Sequence, residues 1–394
     1  MTIAGRAVPA LLGGVPAFSE RLPLVRPTIP DIPGLTRRLE RILHSGMLTN
    51  GRVVRELEEA AAQRCEVMHV VAVASCTSGL MLTLQALGAT GRVVIPSFTF
   101  AASAHAVVWA AGQPSFAEVD RRTLTLDPAD AATLANGASA ITATHVYGAP
   151  CDVDALAAVA DLAGIPLVYD AAHALGSRHA GRPVGGFGSA EVFSMSPTKV
   201  AVAGEGGLVA TNNADLARAI RLGRDYGNPG DYDCQFAGLN ARMSELHAAI
   251  GLASLDGLDE RIRHRHNLVD AFKKRAAGVP GLSYQQVRSE DVSTFKDLTL
   301  IIDPQSFGLC AADLGRALAA ERIDSRRYYY PPIHRQKAYA HLPQDRELPV
   351  TDEVAAQVLT PPLYSHMTEY QVTRVADAVV SIQEHAPAVR NALG

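Results

Sequence analysis

The chain has 394 residues, 48% of them apolar and 19% charged, enough to bury a large core shared between two domains and too apolar for a disordered chain. Lys plus Arg number 36 against 40 Asp plus Glu, a net charge of −4, so there is no basic footprint for nucleic acid or for an anionic membrane. The five cysteines (Cys65, Cys76, Cys151, Cys234 and Cys310) are odd in number and never form a Cys-x-x-Cys pair. That suggests neither a disulfide framework nor a zinc site; with no bilayer-length apolar run and no signal-peptide pattern, the expected home is a reducing cytoplasm.

From about residue 52 apolar runs alternate with helical patterns. VVRELEEAAAQRC (53–65) has helical spacing, HVVAVAS (69–75) reads as a buried strand, SGLMLTLQALG (78–88) as a helix, and RVVIP (92–96) as the next strand. The alternation continues through TFAASAHAVVWAAG, QPSFAEV, PADAATLA, SAITATHVYG, VDALAAVADLAG and IPLVYD. Short strands separated by helices of this length predict βαβ units and a mainly parallel sheet. AEVFSM (190–195) and GGLVATN (206–212) then read as an antiparallel pair, and ADLARAIRLGRDYG as a helix. MSELHAAIGLASLDGLDERIRHRHNLVDAFKKRAAG (243–278) is one long helix or two in series, leading into a smaller α+β domain. The expected division is a large α/β domain over residues 1–255, N-terminal segment included, and a small C-terminal domain over 256–394.

In open α/β sheets, ligands sit at the carboxyl ends of the strands. The polar residues there are Ser75-Cys76-Thr77-Ser78-Gly79, Ser97 to Phe100, His145 and Tyr147, Asp170 and His173, and Ser194, with Lys199 five residues further on. Thr77, Ser78 and Gly79 open a helix, where hydroxyls and free N–H groups either cap the helix or hold an anion. Asp170 ends an apolar strand, so its carboxylate is either an N-cap or the partner of a cationic group such as a pyridinium N–H. A lysine set among apolar residues acquires a lowered pKa and can attack a carbonyl as the free amine. An anion pocket, a buried Asp and such a lysine are the parts needed to hold pyridoxal phosphate (PLP) by its phosphate, ring nitrogen and aldehyde. No metal site is expected.

In these segments the chain resembles the DegT/DnrJ/StrS sugar aminotransferases, which have the type I fold of aspartate aminotransferase. The resemblance rests on SGMLTNGRVVRELEE (45–59), SCTSG (75–79), VVIPSFTF (93–100), THVYGAPCDVDAL (144–156), YDAAHALGS (169–177), FSMSPTK with GEGG (193–207), GLNARMSELHAAIG (238–251), RRYYYPPIH (326–334) and LTPPLY (359–364). It implies a mainly parallel seven-stranded sheet flanked by helices, and PLP bound to Lys199 as an internal aldimine, with pyridoxamine phosphate formed between the half-reactions. It further implies that Asp170 pairs with the pyridinium nitrogen, that Phe100 and Ala172 flank the ring, and that His173 lies near the phenolic oxygen. Thr77, Ser78 and Ser194 would hold the phosphate, with Asn240 reaching in from the second subunit of a homodimer. Tyr147, Tyr329, His334 and Thr49 are candidates for the sugar-nucleotide pocket.

The implied reaction moves an amino group from L-glutamate to a nucleotide-linked keto sugar. His173 leans towards carbon 4 of a TDP-sugar in amino-sugar biosynthesis for natural products. The alternatives are a 3-keto sugar or keto-cyclitol aminotransferase, a cofactor-free Schiff-base aldolase, and a non-catalytic regulator that binds PLP or a sugar nucleotide. One departure stands out: most relatives carry Phe-Ser-Phe-His before the lysine, whereas Met195 and Ser196 occupy the last two places here.

Overall fold

A computed structural model describes residues 8–29, 31–342 and 346–394. Its larger sheet has seven strands: β1 (His69–Val73), β2 (Arg92–Pro96), β3 (Gln113–Ala117), β4 (Ala140–Thr144), β5 (Leu167–Asp170), β6 (Ala190–Ser194) and β7 (Gly207–Thr211). They lie in the order β1-β7-β6-β5-β4-β2-β3. Pairs β2/β3, β2/β4, β4/β5 and β5/β6 are parallel, while β7 runs antiparallel to both β1 and β6. The apolar residues of β4, β5 and β7 are buried along their whole length, as continuous apolar runs in a sheet covered on both faces require.

Helices between the strands begin where short polar side chains cap them: Asp127 accepts from the Ala129 N–H, Asp152 from Ala155, and Asn213 from Asp215 and Leu216. Two close approaches fix the sheet beneath the Cys76–Ala86 helix. A Cβ on Gly79 would lie 2.8 Å from Val192 and 3.0 Å from Val209, and one on Gly207 would lie 2.5 Å from the carbonyl carbon of Ser75. Glycine at these positions lets the helix start sit directly over the ends of β6 and β7.

The predicted 243–278 helix is two helices, Glu245–Leu255 and Leu258–Arg275, separated at Asp256–Gly257. The second bridges two cores. Leu258 and Ile262 pack with the large sheet's helices, whereas Leu268, Val269 and Phe272 pack with Leu300, Ile302, Leu314, Val375 and Val379. This second core covers a three-stranded antiparallel sheet of β8 (Leu282–Tyr284), β9 (Leu300–Ile302) and β10 (Val358–Leu359).

The N-terminal segment, expected to accompany the large domain, divides: Leu35 and Ile42 of the Ile32–Ser45 helix pack on the large core, whereas residues 10–22 pack on this smaller one. Leu22 bridges to Ile323, and the buried Glu321 carboxylate accepts from the N–H groups of Ala10 and Ala17, both at 2.7 Å. A buried carboxylate needs such donors, and the sequence has no local signal that pairs residues 10 and 17 with residue 321. Among the described residues, no helix is long and apolar enough to cross a membrane.

Candidate active site

The carboxyl ends of β1, β4, β5 and β6 converge, with the loop after β2, on a cavity of about 310 Å³. Asp170, the last residue of β5, is 3% exposed. Ser103 Oγ donates to Oδ2 at 2.6 Å, the Ala172 N–H to Oδ1 at 3.1 Å, and Cys76 Sγ to Oδ1 at 3.8 Å. Burial, and then the Asp170 charge, push the Cys76 thiol well above its usual value, so it remains a protonated donor. The carboxylate is held as an acceptor with a face towards the cavity.

Lys199 lines the same cavity, in the turn that follows β6. Its pKa falls from an ordinary 10.5 to about 8, first because burial disfavours the ammonium and then because Lys296 places a second positive charge nearby; Cys76, Asp170 and Asp297 oppose the shift. His173 is likewise pushed well below its usual value by burial and by the charges of Lys199 and Lys296. The Tyr147 N–H donates to His173 Nδ1 at 3.1 Å. A neutral ring therefore carries its proton on Nε2, which lies 3.4 Å from the Tyr329 hydroxyl.

Thr77, Phe100, Ala172, Ser194 and Tyr329 also line the cavity. Phe100 is 61% exposed and borders both this cavity and an adjoining groove of about 850 Å³, which shares Thr99, Tyr328 and Tyr329 and carries Arg316, Arg326 and Arg327. Ser78 is different: its hydroxyl and N–H are both used in a capping box with Ser75, which itself lines the cavity.

The remaining expected residues lie off the lining of this cavity. Tyr147 is buried among Phe98, Tyr328 and Tyr329, with its hydroxyl donating to the Tyr328 carbonyl. His334 is buried between Ser97 Oγ, 2.6 Å from Nδ1, and Asp352, 3.1 Å from Nε2. Thr49 donates to the Met243 carbonyl at 3.2 Å. Asn240 is exposed and accepts from Arg242 at 3.2 Å. For Tyr147 and His334 the reason is packing: aromatic and imidazole groups fill the seam between the domains.

The unusual Met195-Ser196 pair divides into two environments. Met195 is fully buried, packed among core residues near Gly206 and Gly251, whereas Ser196 faces the cavity. The sequence reading missed Ser103, in the first turn of the Ala102–Trp109 helix after β2, and the Lys296–Asp297 pair. The second carried a signal, because it is the only charged pair in the otherwise apolar or hydroxylic run STFKDLTLII (293–302).

The residues present fit PLP: a buried acceptor carboxylate, a lysine inclined to be a free amine, and hydroxyls at a helix start face one space. Residues 34–380 match the DegT/DnrJ/EryC1/StrS aminotransferase family. The solved structure of DesI in the presence of its TDP-sugar product is similar at a TM-score of 0.91 and 38% identity, covering 97% of each chain. GDP-perosamine synthase of Vibrio cholerae is 30% identical, over 89% of this chain and 96% of its own length. UDP-N-acetyl-3-dehydro-alpha-D-glucosamine 3-aminotransferase of Acidithiobacillus ferrooxidans is 32% identical, over 86% of this chain and 91% of its own. The chain belongs to this family of PLP-dependent sugar aminotransferases.

Proposed function

With that membership as premise, we propose that the protein transfers the amino group of L-glutamate to carbon 4 of TDP-4-keto-6-deoxy-D-glucose, as a homodimer serving amino-sugar biosynthesis. The observation that carries the transfer is the pairing of Lys199, lowered to about pKa 8, with the buried Asp170 carboxylate on one cavity. PLP supplies an aldehyde for amine exchange and a ring that accepts electrons from the carbon being deprotonated. Asp170 would hold the ring nitrogen, with Phe100 and Ala172 on the cavity walls beside it. Thr77 and Ser194, with the N–H groups at the helix start, take the phosphate. Ser78 supports them through its capping box. Lys199 would hold the cofactor's aldehyde and, as a free amine, would move the proton at the carbon being aminated or deaminated.

The adjoining groove, lined by Arg21, Arg316, Arg326 and Arg327 and sharing residues with the same site, suits a ligand longer than a sugar and bearing phosphates. The similarity to DesI with its TDP-sugar product supports thymidine as the nucleotide, and His173 supports carbon 4. Asn240, exposed and off this cavity, would complete the phosphate site of a second copy. Exposed Met47, Leu48 and Tyr226 are apolar surface that such a copy would cover. The 3-keto alternative is supported by the relative named as a 3-aminotransferase. An aldolase leaves Asp170 and the helix-start hydroxyls without a shared purpose.

The test is incubation of the purified yellow protein with L-glutamate and, separately, TDP-linked 4-keto and 3-keto sugars, with products identified by NMR. The expected result is amination at carbon 4. Amination of the 3-keto compound alone would replace the regiochemical assignment, and a protein that stays colourless with added PLP would defeat the transaminase reading.

A further inference from the structure

Lys296 and Asp297 enter β9 as a charged pair with side chains 4% and 3% exposed. Lys296 Nζ lies 2.9 and 3.0 Å from the two oxygens of Asp297. An ammonium has three N–H donors, and among the described residues both acceptors belong to this one carboxylate. The backbone around the pair is clamped. The Lys296 N–H donates to the Tyr147 carbonyl at 2.9 Å, while buried Arg265 donates to the carbonyls of Phe295 at 2.8 Å and Lys296 at 2.6 Å. The charge is therefore fixed in place on the wall of the cavity that holds Lys199 and Asp170.

A buried ion pair is often no more stable than apolar residues of the same volume, so packing alone does not account for this one. The chemistry offers a reason. One cavity must accept an amino acid, which brings carboxylates, and a sugar ring, which brings none. Lys199 has to be an uncharged amine to carry the proton, and burial and neighbouring charges hold His173 neutral. No arginine is among the described residues that line this cavity. Lys296 is then the standing cation of the site.

We propose that Lys296 receives a carboxylate of the amino donor, and that Asp297 holds the ammonium in register and neutralises it when the sugar occupies the cavity. This rests on the reading of an amino-acid donor. It assigns donor selection to the small-domain side of the site, and acid–base chemistry to the large sheet.

The test follows the donor half-reaction of the holoenzyme as loss of the cofactor's yellow absorbance, in the wild type, Lys296→Met, Lys296→Arg and the Lys296→Met/Asp297→Asn double variant. The double variant leaves no unpaired buried charge and guards against simple misfolding. Half-saturation by L-glutamate should rise about 10-fold or more on loss of a charge-assisted hydrogen bond. KM for the keto sugar should stay within about twofold, and Lys296→Arg should recover part of the loss. Calorimetric titration with glutarate, which has no amine to transfer, should weaken in parallel. A defect that persists with L-glutamine places the α-carboxylate on Lys296, and one confined to L-glutamate places the side-chain carboxylate there. Unchanged glutamate saturation and glutarate binding in the double variant, or equal loss for both substrates, would overturn the proposal. A wild-type enzyme indifferent to L-glutamate would overturn the donor reading itself, and this inference with it.

Discussion

The cavity has two walls of different origin. One is the edge of the large sheet, where Asp170 and Ser194 end, and Ser75 and Lys199 follow, strands that topology brings side by side. The other comes from the smaller domain and its connections, as Lys296, Tyr328 and Tyr329, more than 90 residues further along the chain. The first wall needs only correct strand pairing to assemble. The second needs the two cores to dock, and Arg265, reaching from the bridging helix to the carbonyls of Phe295, Lys296 and Leu363, ties it down.

The sharpest test of the division is Lys199→Ala, which should lower amino transfer by at least about 10³-fold, since it removes both the cofactor's anchor and the proton carrier. The folded chain should be retained. The check is turnover of keto sugar, alongside borohydride reduction, which should no longer fix the cofactor to the protein. Retention of a tenth of the activity would mean that the chemistry is not housed on the sheet wall.

This asymmetry also explains what could be read from sequence. Asp170, Ser194 and Lys199 were legible because period, length and turn residues predict strands, and parallel strands present their carboxyl ends together. Ser78 was legible as a hydroxyl at a helix start, but whether it caps or binds depends on rotamers, and here it caps. Tyr147 and His334 fall in motifs typical of the family yet are spent on packing between elements distant in sequence. Lys296 showed only as half of a charged pair in an apolar run; its place in the site depends on docking the small domain, which leaves no local period. Residues 10–22 went unread as part of the small domain for the same reason: their partner, Glu321, is about 300 residues away.

On the second wall, Arg265→Leu should destabilise the chain by about 3 kcal/mol, because it strands buried carbonyl groups without a donor. Denaturant unfolding measures the loss. If the walls are as separable as their origins suggest, the variant that remains folded should be impaired in saturation by L-glutamate more than in maximal rate. On the first wall, Gly207→Ala should cost about 2 kcal/mol through overpacking, because its Cβ would meet backbone atoms of Ser75 and Cys76 at 2.5 to 2.7 Å. The distortion falls at the helix start, so PLP retention should weaken as well. A neutral effect on both would mean that β7 can move away from that helix without consequence.

The last effect links the walls through charge. In the cofactor-free chain Lys199 titrates at about 8 rather than 10.5. Below pH 8 both folded and unfolded chains carry the proton, and the folded chain bears the cost of burying it. Between pH 8 and 10.5 the folded chain has released the proton while the unfolded chain keeps it. The unfolded state binds more protons in that window, so stability from this group rises with pH there and levels off above 10.5. Lys199→Met, which never carries the charge, should therefore melt higher than the cofactor-free wild type below pH 8, and the gap should close as pH approaches 10.5. Calorimetric melting across this range reads it directly, and a constant gap would mean that burial does not govern the amine. Because Lys296 supplies the second cause of the shift, repeating the comparison in a Lys296→Met background should narrow the gap at low pH. That narrowing would show the small-domain wall setting the protonation of a lysine on the sheet wall.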